Sequence, residues 1–251
     1  MLLENKVAVI YGAGGPIGGA VARTFAREGA NVHLAGRTRA KLDAVAEEIR
    51  AAGGLAEAAQ VDALDEHAVD TFVDAVAAQA GGVDISFNLI ALGDVQGTPL
   101  VEMSLEDFTR PITTAVRTQF LTTRAAARHM VRRGSGVILA FGGTGGEPVP
   151  LLGGFTVGLD AVEGLRRQWA CELGPHGVRV VTLKTGGVPE TLPDTFAGRD
   201  EIVAGIQQAA LLNRTATLAD VGNVAAFVAS DQAGTMTAAT VNISCGAIVD
   251  Y

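Results

Sequence analysis

Tyrosine and lysine are scarce in this chain: Tyr11 and Tyr251 are the only tyrosines among 251 residues, and Lys6, Lys41 and Lys184 the only lysines. No Tyr-x3-Lys or Tyr-x6-Lys pair can be drawn, which excludes acid–base chemistry built on such a pair. Cys171 and Cys245 stand far apart with no CxxC partner, and His33, His67, His129 and His176 are dispersed, so no metal site is expected. The net charge is −8 and the basic residues never form a long run, which speaks against a nucleic-acid partner. No apolar stretch is long enough to span a bilayer, and the opening MLLENKVAVIYG reads as neither a signal peptide nor a membrane span. A cytoplasmic protein with no membrane partner is the expectation. Aromatic residues make up only 5% of the chain, which disfavours an aromatic-cored sandwich.

What is abundant is glycine, 32 residues, within a sequence that is 48% hydrophobic. Short apolar runs alternate with amphipathic stretches of helical length. VAVIY is followed by a helix over Ile17 to Glu28, NVHLAG by Arg39 to Ala51, LAEAAQVD by Glu66 to Gln79, and VDISFNLI by a long helix from about Leu105 to Val131. GVILAFGG, a helix from about Phe155 to Leu173, VRVVTLK and ATVNISCG complete the pattern. Alternation of this kind predicts a single-domain α/β fold, a doubly wound parallel sheet of six or seven strands with helices on both faces. Ligands of such a sheet lie in the crevice outside the carboxyl ends of its strands. The longest irregular stretch, 185–201, follows a strand end and reads as a substrate flap over that crevice.

The turn after the first strand runs Gly12-Ala13-Gly14-Gly15-Pro16-Ile17-Gly18 and opens directly into a helix. Small residues let the backbone approach a pyrophosphate, and the helix start offers it unpaired N–H groups and a positive dipole end. Pro16 at the first helical turn removes no N–H that the helix needs. The second strand ends in Gly36-Arg37-Thr38, with no acid to accept from a ribose 2′-OH. Arg37 and Thr38 suit a 2′-phosphate instead, so NADP(H) is favoured over NAD(H) as the cofactor.

On these residues the chain resembles the short-chain dehydrogenase/reductase family, with its Rossmann-type fold, over essentially its whole length. Further matches are Asp62, followed by Ala63, after the third strand; Asn88 at the end of the fourth; FLTTRAAARHM (Phe120 to Met130); DAVEGLRRQWACELGPHGVRV (Asp160 to Val180); and DVGNVAAFVASD (Asp220 to Asp231). The resemblance implies adenine contact at Asp62 and Ala63, and cofactor contacts at Asn88 and around Gly186 and Val188. Family members work through an Asn-Ser-Tyr-Lys tetrad: Tyr as acid/base, Lys on the nicotinamide ribose, Ser on the substrate oxygen, Asn supporting a proton relay. The corresponding positions here carry Ala115, Gly142 (or Gly143), Phe155 and Leu159, so all four roles are vacant. A roomier, more apolar crevice follows as the expectation.

Two classes of function remain besides an atypical NADP-dependent oxidoreductase acting on a small molecule, for instance one reducing an activated C=C or C=N bond. One is a non-redox enzyme catalysing elimination, isomerisation or cyclisation on the same scaffold; the other is a silent member that senses NADP(H) or binds a partner. Polar groups available near the crevice are Thr144, Glu147, Thr156, Lys184, Thr185 and Glu190. By resemblance the chain forms a homo-oligomer, a dimer or tetramer, through helices containing Thr118 to Met130 and Ala161 to Cys171.

Overall fold

A computed structural model describes residues 1–143, 149–196 and 198–249. Seven parallel strands lie in the order β3-β2-β1-β4-β5-β6-β7. They are β1 (Val7–Tyr11), β2 (Asn31–Gly36), β3 (Leu55–Gln60), β4 (Ile85–Asn88), β5 (Gly136–Phe141), β6 (Val178–Lys184) and β7 (Ala239–Asn242). All five residues of β1 and all four of β4 are buried, as strands covered on both faces must be. Register sets Val9 between His33 on β2 and Ser86 on β4. Strand order reverses direction between β1 and β4, which fixes the topological switch point there.

Alternation along the strands feeds two cores. Ala8, Ile10, Val181 and Leu183 pack with α1 (Pro16–Arg27), α2 (Arg39–Ala51) and α7 (Leu218–Ala229). Val9, Tyr11, Ile138 and Val180 face the other way, toward α3 (Glu66–Ala80), α4 (Leu105–Arg133) and α5 (Gly154–Leu173). Each large apolar side chain removed from water contributes roughly 1.5–3 kcal/mol. Helix ends follow local chemistry: the Asp65 carboxylate accepts from Ala68 N–H at 3.0 Å to start α3, and Ser104 Oγ accepts from Asp107 N–H at 3.0 Å to start α4. Gly134, left-handed at φ 72°, ends α4.

The expected elements are all present, several to the residue. The stretch 185–201 departs from expectation: a 3₁₀ turn forms at Pro189–Thr191, and Arg199 begins a further helix, α6 (Arg199–Ala209). No residue of α6 is buried, so the sequence carries no continuous apolar stripe to announce it.

Candidate active site

The turn between β1 and α1 sits at the switch point. A Cβ on Gly12 would lie 2.3 Å from the Leu89 carbonyl oxygen, and one on Gly18 would lie 2.3 Å from the Gly12 carbonyl oxygen. The β1 turn thus abuts the β4 turn while α1 abuts both, an approach that side chains at these positions would prevent. Gly15 caps α1 without a side chain and Pro16 takes the first helical place. Ile17 and Gly18 stand in the first turn of α1, where a helix leaves its N–H groups without an intrahelical partner. Gly14 packs on Lys41 of α2.

Arg37 and Thr38 are exposed at the end of β2. Thr38 is the N-cap residue of α2, yet its hydroxyl makes no capping bond. The Arg37 carbonyl accepts from Gln60 Nε2 at 3.0 Å, which pins the backbone while leaving the guanidinium outside. Asp62 Oδ1 accepts from Leu64 N–H at 3.0 Å, and Ala63 is buried beside it. Asn88 is committed to the scaffold: its Nδ2 donates to Thr118 Oγ1 at 3.1 Å and its Oδ1 accepts from Ile90 N–H at 3.0 Å. Val188 is buried in the core that it shares with residues of α1 and α7. Gly186 lies against Ala247 and Ser244 of the segment after β7.

The four positions aligned with the tetrad fall around one corner of the crevice. Ala115 of α4 packs with Ala140 of β5 and Val162 of α5. Gly142 adopts φ +96°, and a Cβ built there would stand 2.6 Å from Leu159 Cδ2. Leu159 is itself buried at 8% exposure. The expectation of added room at this point is therefore corrected: the space freed by glycine is filled by leucine. Phe155, one turn earlier on the same helix, is half-buried. A cavity of about 460 Å³ lies at the opposite, amino-terminal edge of the sheet, lined by Lys6, Asp84, Arg179 and Asp231 among others.

Of the polar groups near the crevice, Thr144 and Glu147 lie outside the described residues. Glu190 turns away, its carboxylate accepting from Leu218 N–H at the start of α7. Thr185 Oγ1 accepts from Gly187 N–H at 3.4 Å, and Thr156 lies half-buried in the first turn of α5. Lys184 ends β6 at 4% exposure.

Beneath Leu159, one turn on, is a buried polar cluster that sequence reading missed. Glu163 Oε2 accepts from Arg166 Nη2 at 2.9 Å, Arg166 Nε at 3.1 Å and Thr240 Oγ1 at 2.8 Å. Burial pushes the Glu163 carboxyl up, but the neighbouring Thr182 hydroxyl, the bonds from Arg166 and Thr240, and the Arg166 charge outweigh it and hold it below the ordinary range. Glu163 Oε1 and Thr182 Oγ1 are buried without a well-aligned hydrogen bond, so Thr182 acts on the carboxylate by proximity of its dipole. The signal available was the Glu163–Arg166 spacing of three on a helix that otherwise reads as apolar on this side. Among the described residues no group of His, Cys, Asp and Glu could hold a metal ion, and no helix is long and apolar enough to cross a membrane.

Residues 12–247 match the sequence family described as Enoyl-(Acyl carrier protein) reductase. A short-chain dehydrogenase/reductase of Armillaria gallica is 30% identical, the match covering 98% of this chain and 97% of the relative. An A-factor type gamma-butyrolactone 1'-reductase of Streptomyces virginiae is also 30% identical, with 98% and 96% covered. A short chain dehydrogenase of Burkholderia cenocepacia, solved in complex with NADP, shares the fold at a TM-score of 0.86 and 26% identity, with 98% and 99% covered.

Proposed function

Because the chain belongs to the short-chain dehydrogenase/reductase family, we propose that it is an NADP(H)-dependent oxidoreductase that acts on a small molecule without the family's tyrosine–lysine pair. The packing of Leu159 onto Gly142 carries this reading: a leucine and a positive-φ glycine meet where acid–base chemistry would need a cation and a hydroxyl. A substrate whose own polarity drives hydride acceptance suits such a corner, and an activated C=C or C=N bond has it. The matched family's description as an enoyl reductase points the same way.

The residues present fit the cofactor. Gly12 and Gly18 keep the cradle at the switch point free of side chains, and Ile17 and Gly18 offer N–H groups to a pyrophosphate. Arg37 and the uncapped Thr38 hydroxyl would take the 2′-phosphate, with Asp62 and Ala63 beside the adenine and Gly186 and Val188 lending backbone near the nicotinamide. The NADP-bound Burkholderia protein supports the preference for the phosphorylated cofactor. When bound, that cofactor supplies the hydride; the protein orients the two reactants and shields them, which alone gives useful rate. The stretch 185–201, which follows the carboxyl end of β6, would serve as the flap.

Assembly with a second copy through α4 and α5 belongs to the same reading. Phe120 of α4, 40% exposed, stacks on Trp169 of α5 at 5.7 Å with Arg124 over its ring, an aromatic patch of the kind interfaces bury.

Fluorescence titration with NADPH and NADH, followed by absorbance assays on enones, imines and ketones, tests the proposal. NADPH should bind more tightly than NADH, and Arg37→Ala should weaken NADPH about 10- to 150-fold, as for loss of a hydrogen bond to a charged group. Enones or imines should oxidise NADPH faster than simple ketones. Binding without turnover on any of them would leave a sensing or non-redox role; no binding of either nucleotide would overturn the reading.

A further inference from the structure

The corner around Gly142 and Leu159 sets a demand on the substrate. Ala115, Ala140 and Val162 form a small apolar cluster there, joined by Leu92 from the segment after β4. Among the tetrad-aligned positions and these neighbours there is neither an acid nor a cation. The buried cations of this region are both engaged: Lys184, beside Gly143, has a partner of its own, and Arg166 is paired with Glu163. Reduction of a carbonyl or an enone in such a corner creates charge, because an oxyanion forms as the nicotinamide becomes a cation and no dipole or proton donor is aimed at the oxygen. Reduction of an iminium ion only moves charge. The positive charge lies on the substrate before hydride arrives and on the nicotinamide ring afterwards, so no new charge has to be stabilised in an apolar place.

The rim of the crevice suits the same kind of substrate. The segments that follow the carboxyl ends of β4 and β6, residues 89–110 and 185–214, hold eight acids against Arg110, Arg199 and Arg214, a net of −5 out of −8 for the whole chain. Each of the three arginines is tied to an acid: Arg110 to Glu106, Arg199 to Asp194 and Arg214 to Asp220. The Gly97 N–H donates to the Leu151 carbonyl at 2.9 Å, which joins the first segment to the chain just ahead of α5. Leu100, Val101 and Leu105 are exposed on that segment, so apolar surface accompanies the negative charge. At the end of β2 the sign is opposite, with Arg37 and Lys41 exposed where the cofactor phosphate is expected. An acidic rim is no binding site by itself; it raises the local concentration of cations and repels anions.

We propose that the substrate is an iminium ion, a protonated or N-alkylated imine carried on a hydrocarbon body. This rests on the reading of the crevice as a hydride-transfer site for activated double bonds. Hydride from NADPH forms a C–H bond at the iminium carbon, and the C=N π pair becomes the lone pair on nitrogen. One iminium ion and one NADPH give one neutral amine and NADP+. No proton moves in the step: a simple imine takes its proton from water before it binds, and the amine takes another from water after release. The tyrosine and lysine of the family serve a carbonyl oxygen that must gain a proton, and an iminium substrate has no such oxygen. Leucine in place of lysine also removes a like charge from the cation's surroundings.

The deciding probe is N-methyl dihydroisoquinolinium, whose charge is permanent, compared with cyclohexenone after subtraction of reduction by NADPH alone. The cation should be reduced with saturation and with the higher kcat/KM. Its turnover should be equal in light and heavy water, while deuterium at the transferring position of NADPH slows it. Calorimetry on protein loaded with NADP+ reads binding apart from chemistry. N,N-dimethyl tetrahydroisoquinolinium, which cannot accept hydride, should bind, and the like-shaped tetralin carboxylate should not. Glu102→Lys combined with Glu201→Lys reverses two exposed acids of the rim and should weaken that cation roughly 3- to 30-fold. Added salt should weaken it in the wild type in the same direction, which keeps the test open if the variant does not fold. Reduction of cyclohexenone but not of the cation overturns the proposal and leaves the hydride reading standing. A solvent isotope effect on reduction of the cation, or equal binding of cation and carboxylate, also overturns it. Protein that binds NADPH and reduces neither acceptor ends the hydride reading, and the proposal with it.

Discussion

At the scale of single residues, counting was enough to remove the acid–base pair, because only two tyrosines and three lysines exist to form one. The Gly142–Leu159 contact was beyond counting: it depends on a positive φ and on where a leucine branch falls, neither of which spacing encodes. Its consequence is testable. Gly142→Ser should cost on the order of 1–3 kcal/mol for a non-glycine residue held at φ +96°, since that region is unfavourable to L side chains. Collision of the new Cβ with Leu159 adds about another 1–3 kcal/mol of overpacking. Leu159→Ala should relieve the second part, so urea unfolding of the double variant should show less destabilisation than the two single losses added, by about 0.5–3 kcal/mol. Additive losses would mean that the two side chains do not meet. Putting a serine back at 142 therefore needs a smaller neighbour as well, which explains physically why these replacements make sense as a set.

At the scale of elements, strands and helices with a clear apolar period were legible, β2, α2 and β6 to the residue, because each buries a face whose spacing is fixed by geometry. α4 was legible despite Pro111 in its seventh position: the amphipathic pattern continues on either side, and Pro111 packs against Gly154 and Gly158 of α5. α6 was not legible. It buries no residue, and Ile206 lies against the body at Gly187, where a built Cβ would stand 2.7 Å from its Cδ1. A helix tethered so lightly should open without global unfolding. Hydrogen exchange should be far faster over 203–209 than over the middle of α4, and Ile206→Ala should speed it further while changing global stability by no more than about 0.5 kcal/mol, as for a surface substitution. Equal protection in α6 and α4 would mean that α6 is held as firmly as the core helix.

For the molecule as a whole, the parallel sheet and its switch point followed from alternation plus the position of the glycine turn, whereas buried polar groups within the sheet had no pattern to reveal them. His33 is one: it sits in β2 between Val9 and Glu57, 2% exposed, with no hydrogen-bond partner for Nε2. Burial pushes its imidazole below the ordinary value, and the charge of Glu57 offsets only part of that. The unfolded chain takes up this proton near pH 6.5 while the folded protein does not until lower pH, so protonation favours unfolding. Stability from this group is whole above about pH 6.5 and is lost as pH falls from there toward the depressed folded value. The carboxylates held low by their partners, Asp107, Asp220 and Glu163, lose their contributions in a separate window, below about pH 4. Thermal unfolding at pH 7.5 and pH 5.5 should therefore show a drop in Tm for the wild type that shrinks markedly in His33→Leu, whose side chain suits the same buried, strand-favouring site. An equal drop in both proteins would assign the acid sensitivity to another group.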